Sequence, residues 1–539
     1  MTLSILKSYI RCSAKMGSLV LAHYSVMLGC GVMAAGERPL RNVVVILSDD
    51  HALKVTGAYG NSIVRTPSID RLASEGVTFD RAYCNAPICS ASRQSLLTGK
   101  YPHATGVNLL FTPFRDDGNV TIAEHLRGYG YRTAIIGKTH WNNWAWETLY
   151  AEGPPDHGFD TLIEKDEYFD YYEKLSSRPL DTNRSYYRRE AIERSNTAEW
   201  MNWQALPHPV RDAESMGVFF AKEAVRFMEE SRDQPFFLWL AFREPHAPYY
   251  FPLEFEGKYD PNEMPLPEGS PEDDRWIPEK FRGLSDAERR GIIAAYYTST
   301  EYMDRNMGMV LDAIDRLGLK EETLVLYLSD NGYLLHEHKR FEKHTMWEEA
   351  IRQPMIVRAG DANRSGERVG ALVEYVDVAP TILDLVGIQP MSDAQGISLR
   401  EVVEGKAVEH RELTFATYLQ DNLAMVCTQE WKYVFHTGSR DLGINYATGY
   451  GPAGLTERLY DLKNDPLEQR DVSGSPENES IFKNMRQSLL RRFMETHPDA
   501  EDCPSELNTI GKLVWFCEPR DIGDDQMAED IPTRVFESR

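Results

Sequence analysis

The chain has 539 residues, 42% hydrophobic and 26% charged, a composition that suits a folded globular protein with either several compact cores or one large core and an appendage. A formal charge of −24 argues against a nucleic-acid binder, which needs a basic footprint for the phosphates. In so acidic a chain any anion site must be a local cluster of Lys, Arg, His or metal.

The first 36 residues carry Lys7, Arg11 and Lys15 and then the apolar run MGSLVLAHYSVMLGCGVMAAG, which reads as an export signal. A retained membrane anchor is the weaker reading. His23 and several glycines interrupt the run, and no later stretch of about 18 apolar residues exists, so no stable transmembrane span is expected. The protein is therefore expected to be exported, periplasmic or secreted, with lipoprotein anchoring at Cys30 as a secondary option. Loss of the signal would leave Cys84, Cys89, Cys427, Cys503 and Cys517. Five is odd, so one exported thiol is unpaired or consumed by other chemistry. Cys503 and Cys517 are close enough in sequence to close a short loop, and the pairing of Cys84, Cys427, Cys503 and Cys517 is open.

Strands are expected at NVVVILS (42–48), VTFDRAY (77–83), YRTAIIG (131–137), PFFLWLAF (235–242), TLVLYLS (323–329) and PMIVR (354–358). Several of these are unbroken β-branched or aromatic runs, which suit strands buried on both faces. Helical spacing appears at 213–230, in Val218, Ala221, Val225 and Met228, and again at 285–317. The alternation predicts an α/β fold with a large mixed, mostly parallel sheet sandwiched by helices. Residues 151–212 and 250–283 lack periodicity and read as long surface insertions that hold substrate. After about residue 395 short strands (LTFATYL, LAMVCT, WKYVFHT, RLYDL) and a helix at 478–496 predict a small antiparallel sheet plus helix. The expected organisation is an export signal at 1–36, a catalytic α/β domain at 37–394, and a C-terminal α+β subdomain and tail at 395–539.

Two strand ends carry oxygen donors. VVVILSDDH ends in Asp49 and Asp50, and LVLYLSDNG in Asp330 and Asn331. Strand carboxyl ends are where open α/β sheets bind ligands, and three carboxylates with one amide form a hard-oxygen set for Ca²⁺ or Mg²⁺. Each pair alone is more often a turn; together they favour metal. Neighbouring strand residues face opposite ways, so Asp49 and Asp50 can serve one site only if the chain leaves the sheet there. In PICSASRQSLLTG, Cys89 falls at a predicted helix start, where the dipole should lower its pKa and make it reactive, and Arg93 can fold back over it.

Cys89, Ser90, Ala91, Ser92 and Arg93, followed by LLTGKYPHATGV, resemble the signature of the type I sulfatases of the alkaline phosphatase superfamily. Ala91 stands where proline is commoner, and alanine is a variant in that family. The resemblance implies that a maturase, a formylglycine-generating partner, oxidises Cys89 to formylglycine, whose hydrated aldehyde is the nucleophile. It also implies one calcium ion on Asp49, Asp50, Asp330, Asn331 and residue 89. Lys138 and His140 in GKTH, His246 in REPHAPY and Lys343 in FEKHTMWEEAIRQPMIV fall in family order; the resemblance implies Lys138, His246 and Lys343 as substrate-binding residues, and His338, which follows the second metal pair, is added to that set. The catalytic set implied is Cys89, Arg93, His140 and His246. His246, with Lys343, would assist the leaving alcohol, and His140 would take the proton that expels sulfate. His336 and His344 follow the second metal pair and are left open; His103 reads as structural, and His51 as a poor calcium ligand.

The expected activity is hydrolysis of sulfate esters on a sulfated carbohydrate or polysaccharide fragment, since LLHEHKRFEKH is closer to iduronate-sulfatase-like and polysaccharide sulfatases, and aromatic-rich insertions offer stacking area for sugars. Two alternatives stay open: a phosphonate or phosphate ester hydrolase of the same superfamily, and a non-catalytic carbohydrate-binding relative in which Cys89 stays a thiol.

Overall fold

The computed structural model describes residues 40–110, 112–114, 118–141, 156–175, 197–360, 364–438 and 454–518. The export signal expected at 1–36, with Cys12 and Cys30, lies outside them.

Eight strands make the main sheet: β1 (Asn42–Ser48), β2 (Val77–Tyr83), β3 (Arg132–Gly137), β4 (Thr161–Ile163), β5 (Phe236–Ala241), β6 (Thr323–Ser329), β9 (Arg352–Ala359) and β10 (Glu367–Glu374), with a small hairpin β7 (Leu334–Leu335) and β8 (Phe341–Glu342) between β6 and β9. Their spatial order is β10-β2-β9-β6-β1-β5-β3-β4. All pairs are parallel except those of β9, which runs against both β2 and β6. This is the mixed, mostly parallel sheet expected from the sequence.

All seven residues of β1 are buried because both faces of the sheet are covered. Val43, Val45 and Leu47 join a core shared with the helices Cys89–Thr98 and Val378–Leu385, whereas Val44 and Ile46 join one shared with Pro67–Glu75, Met216–Ser231 and Asp286–Arg316. The period-two alternation of a strand divides one apolar run between two cores.

Besides the small β7–β8 hairpin, two strands of the main sheet were not expected from the sequence. β4 has three residues, and β10 is an edge strand whose first half is exposed and broken by a register shift between Val369 and Leu372. Lys165–Leu175 is a helix inside the expected insertion. Residues 250–283 are not a loose surface insertion: short 3-10 turns there bury Phe251, Phe255, Tyr259 and Phe281 against Tyr296, Tyr297 and Tyr302 of the long helix.

The C-terminal sheet, β11 (Thr414–Tyr418), β12 (Leu423–Cys427), β13 (Trp431–His436) and β14 (Thr456–Asp461), is antiparallel throughout. The helix Glu479–Thr496 covers it with Met485, Leu489 and Phe493, four residues apart and so on one face. The described residues from Leu40 onward form one compact unit. At the junction Lys432 of β13 reaches Glu348 Oε1 (2.7 Å), Glu468 Oε1 (2.9 Å) and the carbonyl of Met346 (3.1 Å).

Cys84, Cys89, Cys427, Cys503 and Cys517 are all free thiols, so no described pair closes a loop. Burial explains three of them: Cys84 packs against Ala350 and Gln353, Cys427 against Tyr83, and Cys517 within the C-terminal core. Among the described residues no helix is long and apolar enough to cross a membrane.

Candidate active site

β6, β1, β5 and β3 are adjacent and parallel, so their carboxyl ends lie side by side. Each contributes to one cluster: Asp330 and Asn331 from β6, Asp49 and Asp50 from β1, His246 from β5, and Lys138 and His140 from β3. Cys89 arrives on the helix Cys89–Thr98, which follows β2, and Lys343 on the segment after β8.

Local backbone explains how neighbours meet. β1 stops at Ser48, and Asp50 takes φ +64°, a left-handed turn that brings both aspartates to the same side of the sheet edge. At the end of β3 Gly137 has φ +102°, and a side chain there would collide with the Ala241 carbonyl, which accepts from Lys138 N at 2.9 Å.

Cys89 is the first residue of its helix, and the ligand atoms of Asp49, Asp50, Cys89 and His246 lie within 4.8 Å of one another. Lys343 Nζ is 2.6 Å from Cys89 Sγ, bonds Asp50 Oδ1 and sits 3.4 Å from Asn331 Oδ1. Lys138 pairs with Asp49. Arg93 Nε donates to Asp330 Oδ2 (2.8 Å) and Nη1 to the Lys138 carbonyl (2.7 Å). Its Nη2, 3.8 Å from Asp49 Oδ2, is buried without a hydrogen-bond partner among the described residues. Asn331 Nδ2 donates to Asp50 Oδ1 at 2.5 Å, and the amide of Asp50 donates to Asp330 Oδ1 at 3.1 Å.

The electrostatics correct one expectation. Burial pushes the Cys89 thiol up to about 12, although Lys138 and Lys343 pull the other way. Desolvation, with Asp49 and Asp330 adding to it, outweighs the two lysines, so the thiol is favoured over the reactive thiolate expected at a helix start. Burial also raises Asp50 and, with help from Asp49, brings Asp330 to about 6, while Asp49 is held well below the usual range despite burial because Lys138, His246 and Arg93 surround it. Burial depresses His140 and His246 well below the ordinary imidazole value; Lys138 depresses both further, while Asp49 opposes. Both rings are neutral near pH 7. His246 Nδ1 lies 2.5 Å from the Ala247 carbonyl, which can only accept, so Nδ1 carries the hydrogen and Nε2 is the free acceptor, 3.7 Å from Asp50 Oδ2. His140 Nδ1 has no hydrogen-bond partner among the described residues.

Among the described residues the ligand atoms of Asp49, Asp50, Cys89 and His246 lie close enough together to hold a metal ion. Asp330, which accepts from the Asp50 amide, and Asn331, which donates to Asp50 Oδ1, border that group, and all four oxygen-bearing side chains are at most 2% exposed, a hard-oxygen set of the kind that suits calcium.

His338 does not join this cluster. Its ring is fully buried, hydrogen-bonded through Nδ1 to Asp273 Oδ1 at 2.9 Å and stacked on Trp347 at 4.0 Å, so it is withdrawn from the substrate-binding set. Asp273 lies 65 positions away, and no local pattern signals that pairing. His336 bonds the Pro267 carbonyl. His344 stands nearer, since Lys343 and His246 both help depress its pKa after burial, and it stacks on Tyr418. His103 bonds Thr496 and stacks on His497, a structural place as expected, and His51 is held between Tyr327 and Val55.

A family model described as Sulfatase matches residues 41–388, and one described as N-sulphoglucosamine sulphohydrolase, C-terminal, matches 336–495. A sulfatase of Formosa agariphila is 30% identical, over 85% of this chain and 88% of that protein. An N-acetylglucosamine-6-O-sulfatase of Bacteroides thetaiotaomicron is 26% identical, over 86% and 88%. Among solved structures, a phosphonate monoester hydrolase from Silicibacter pomeroyi superposes with a TM-score of 0.71 at 22% identity, over 87% of this chain and 98% of that one; at that identity the likeness is one of fold.

Proposed function

Since this chain belongs to the sulfatase family and is a sulfuric ester hydrolase, we propose that it removes sulfate from a sulfated carbohydrate, using formylglycine made from Cys89 and one calcium ion. The observation that carries the reading is the convergence of Cys89, three carboxylates, Asn331 and two lysines at one sheet end, with Lys343 Nζ 2.6 Å from Cys89 Sγ. The N-acetylglucosamine-6-O-sulfatase relative supports a sugar substrate, and the run at 1–36 supports action outside the cytoplasm.

Asp49, Asp50, Asp330, Asn331 and residue 89 would hold the calcium, which supplies Lewis-acid charge for the sulfate oxygens. Residue 89, if oxidised, would supply a hydrated aldehyde, a nucleophile for sulfur with a second hydroxyl whose proton can be withdrawn. The remaining roles belong to the chain's own side chains. Lys138 and Lys343, already fixed by Asp49 and Asp50, present two ammonium groups to a sulfate whose oxygens gain charge in the transition state. Arg93 locks Asp330 to the Lys138 backbone and keeps Nη2 as a donor toward residue 89. Neutral His140, with Nδ1 unengaged, can accept a proton from residue 89. His246 presents Nε2 to the site; an arriving sulfate anion cancels part of the cation field that depresses its pKa, which favours the protonated form that a leaving alkoxide needs.

Mass spectrometry of the Cys89 peptide from protein made with its maturase, together with sulfate release, tests the reading. The expected peptide is lighter by the mass of two hydrogens and a sulfur less one oxygen. An unmodified peptide, or turnover of an aryl phosphonate in preference to an aryl sulfate, would overturn it.

A further inference from the structure

Among the described residues Arg243 differs from Lys138, Lys343 and Arg93 in making no ion pair. Lys138, Lys343 and Arg93 each pair with a carboxylate. Arg243 sits just past β5, three residues before His246 in FREPHAPYY, and both are half-buried. Among the described residues its side chain makes no ion pair or hydrogen bond, and its Nε is buried without a partner. Its sequence neighbour Glu244, 3% exposed, feels the Arg243 charge, which opposes the rise that burial gives its pKa, but makes no ion pair with it among the described residues. What holds the guanidinium is an aromatic face: its central carbon lies 5.4 Å from the Tyr250 ring centre, and Tyr250 in turn packs edge-on against His208 at 5.4 Å. Stacking fixes the plane of an arginine and leaves its N–H edge for a ligand. The charge also reaches the site, since it adds to the depression of His246.

Keeping an unpaired, partly desolvated cation is costly, and in a chain of −24 carboxylates are abundant enough to have neutralised it. An oriented guanidinium of this kind matches two oxygens of an incoming oxyanion. The sulfate to be cleaved already has Lys138 and Lys343, so the oxyanion is a different one. We propose that Arg243 binds a second anionic group of the substrate, a carboxylate or a further sulfate near the scissile ester, and thereby selects polyanionic carbohydrates over singly sulfated ones. This deepens the sulfatase reading and rests on it.

The test compares wild type, Arg243→Met and Arg243→Lys on three sugars: a monosulfated N-acetylglucosamine, the same sugar with a second sulfate, and a monosulfated disaccharide bearing a uronic acid. Arg243→Met is expected to lower kcat/KM at least tenfold more on one of the doubly anionic sugars than on the monosulfated one, chiefly through KM, with partial recovery in Arg243→Lys; the sugar that suffers identifies the oxyanion. Taking the ratio removes any general effect on His246 or on folding. Equal losses on all three sugars, or no loss, overturn the proposal. Calorimetric titration of the same sugars into a Cys89→Ala background, with and without Arg243→Met, reads the same ratio as affinity. A wild type that releases sulfate from none of them counts against the sulfatase reading, whereas a flat affinity ratio counts against Arg243 alone.

Discussion

Lys432→Met makes a sharp test of how the C-terminal sheet is joined to the main body. The Lys432 side chain is 0% exposed and lies between Glu348 (7%) and Glu468 (1%). Methionine keeps the stem's volume but leaves two buried carboxylates facing each other. Glu348 retains Arg352 Nε at 3.2 Å and the Tyr83 hydroxyl at 3.1 Å, while Glu468 retains the Glu348 amide at 2.7 Å. Removing one partner of a buried ionic group costs about 3–5 kcal/mol, and the surviving Arg352 contact places this case toward the lower end. The cost should depend on pH in a defined sense. Burial raises the Glu468 pKa, Lys432 opposes that rise, and Glu348 reinforces it, so deleting the lysine raises it further. A carboxyl whose folded pKa lies above its unfolded value loses stability as pH rises from the unfolded to the folded pKa. The penalty is therefore larger at pH 8 than at pH 5. Urea unfolding followed by tryptophan fluorescence at both pH values measures it, and Lys432→Met with Glu468→Gln should recover part of the loss at pH 8. A penalty below about 1 kcal/mol at pH 8, or one equal at both pH values, would refute the buried-charge account.

Four further outcomes are expected. His246→Ala should slow release of sulfate from a sugar alcohol by about 10²–10⁴-fold and from 4-nitrophenyl sulfate much less, because only the poor leaving group needs a proton; equal losses would remove His246 from that role. Lys343→Ala should cost about 10²–10³-fold in kcat on either substrate, read by initial rates, since its ammonium serves the developing charge whatever the leaving group. Asp330→Ala should weaken calcium binding in calorimetry and abolish the calcium-dependent rise in unfolding temperature. Chelation with EGTA should stop turnover by the unmutated enzyme, and added calcium should restore it.

Much of the architecture was legible from one-dimensional signals. Uninterrupted apolar runs marked β1, β5 and β6 to within a residue or so, because a strand covered on both faces has little room for polar residues. The same logic missed β10, where an edge strand tolerates charge, glycine and exposure. Residue types at strand ends assembled nearly the whole candidate site, since parallel neighbours necessarily place their carboxyl ends together.

By itself the sequence determined which groups are present and where along each element they fall: Cys89 and Arg93 one helical turn apart, acids after β1 and β6, and basic residues after β3 and β5. Tertiary structure alone decided what those groups are. Whether Cys89 is a thiolate depends on the balance between desolvation and the charges around it, and only the packed site shows desolvation outweighing Lys138 and Lys343. His338 was removed from the site by an aspartate 65 positions away, and Arg243 was distinguished by the anion it lacks. Ionisation and pairing depend on distance and dielectric summed over all neighbours in space, whereas a sequence lists neighbours only along the chain.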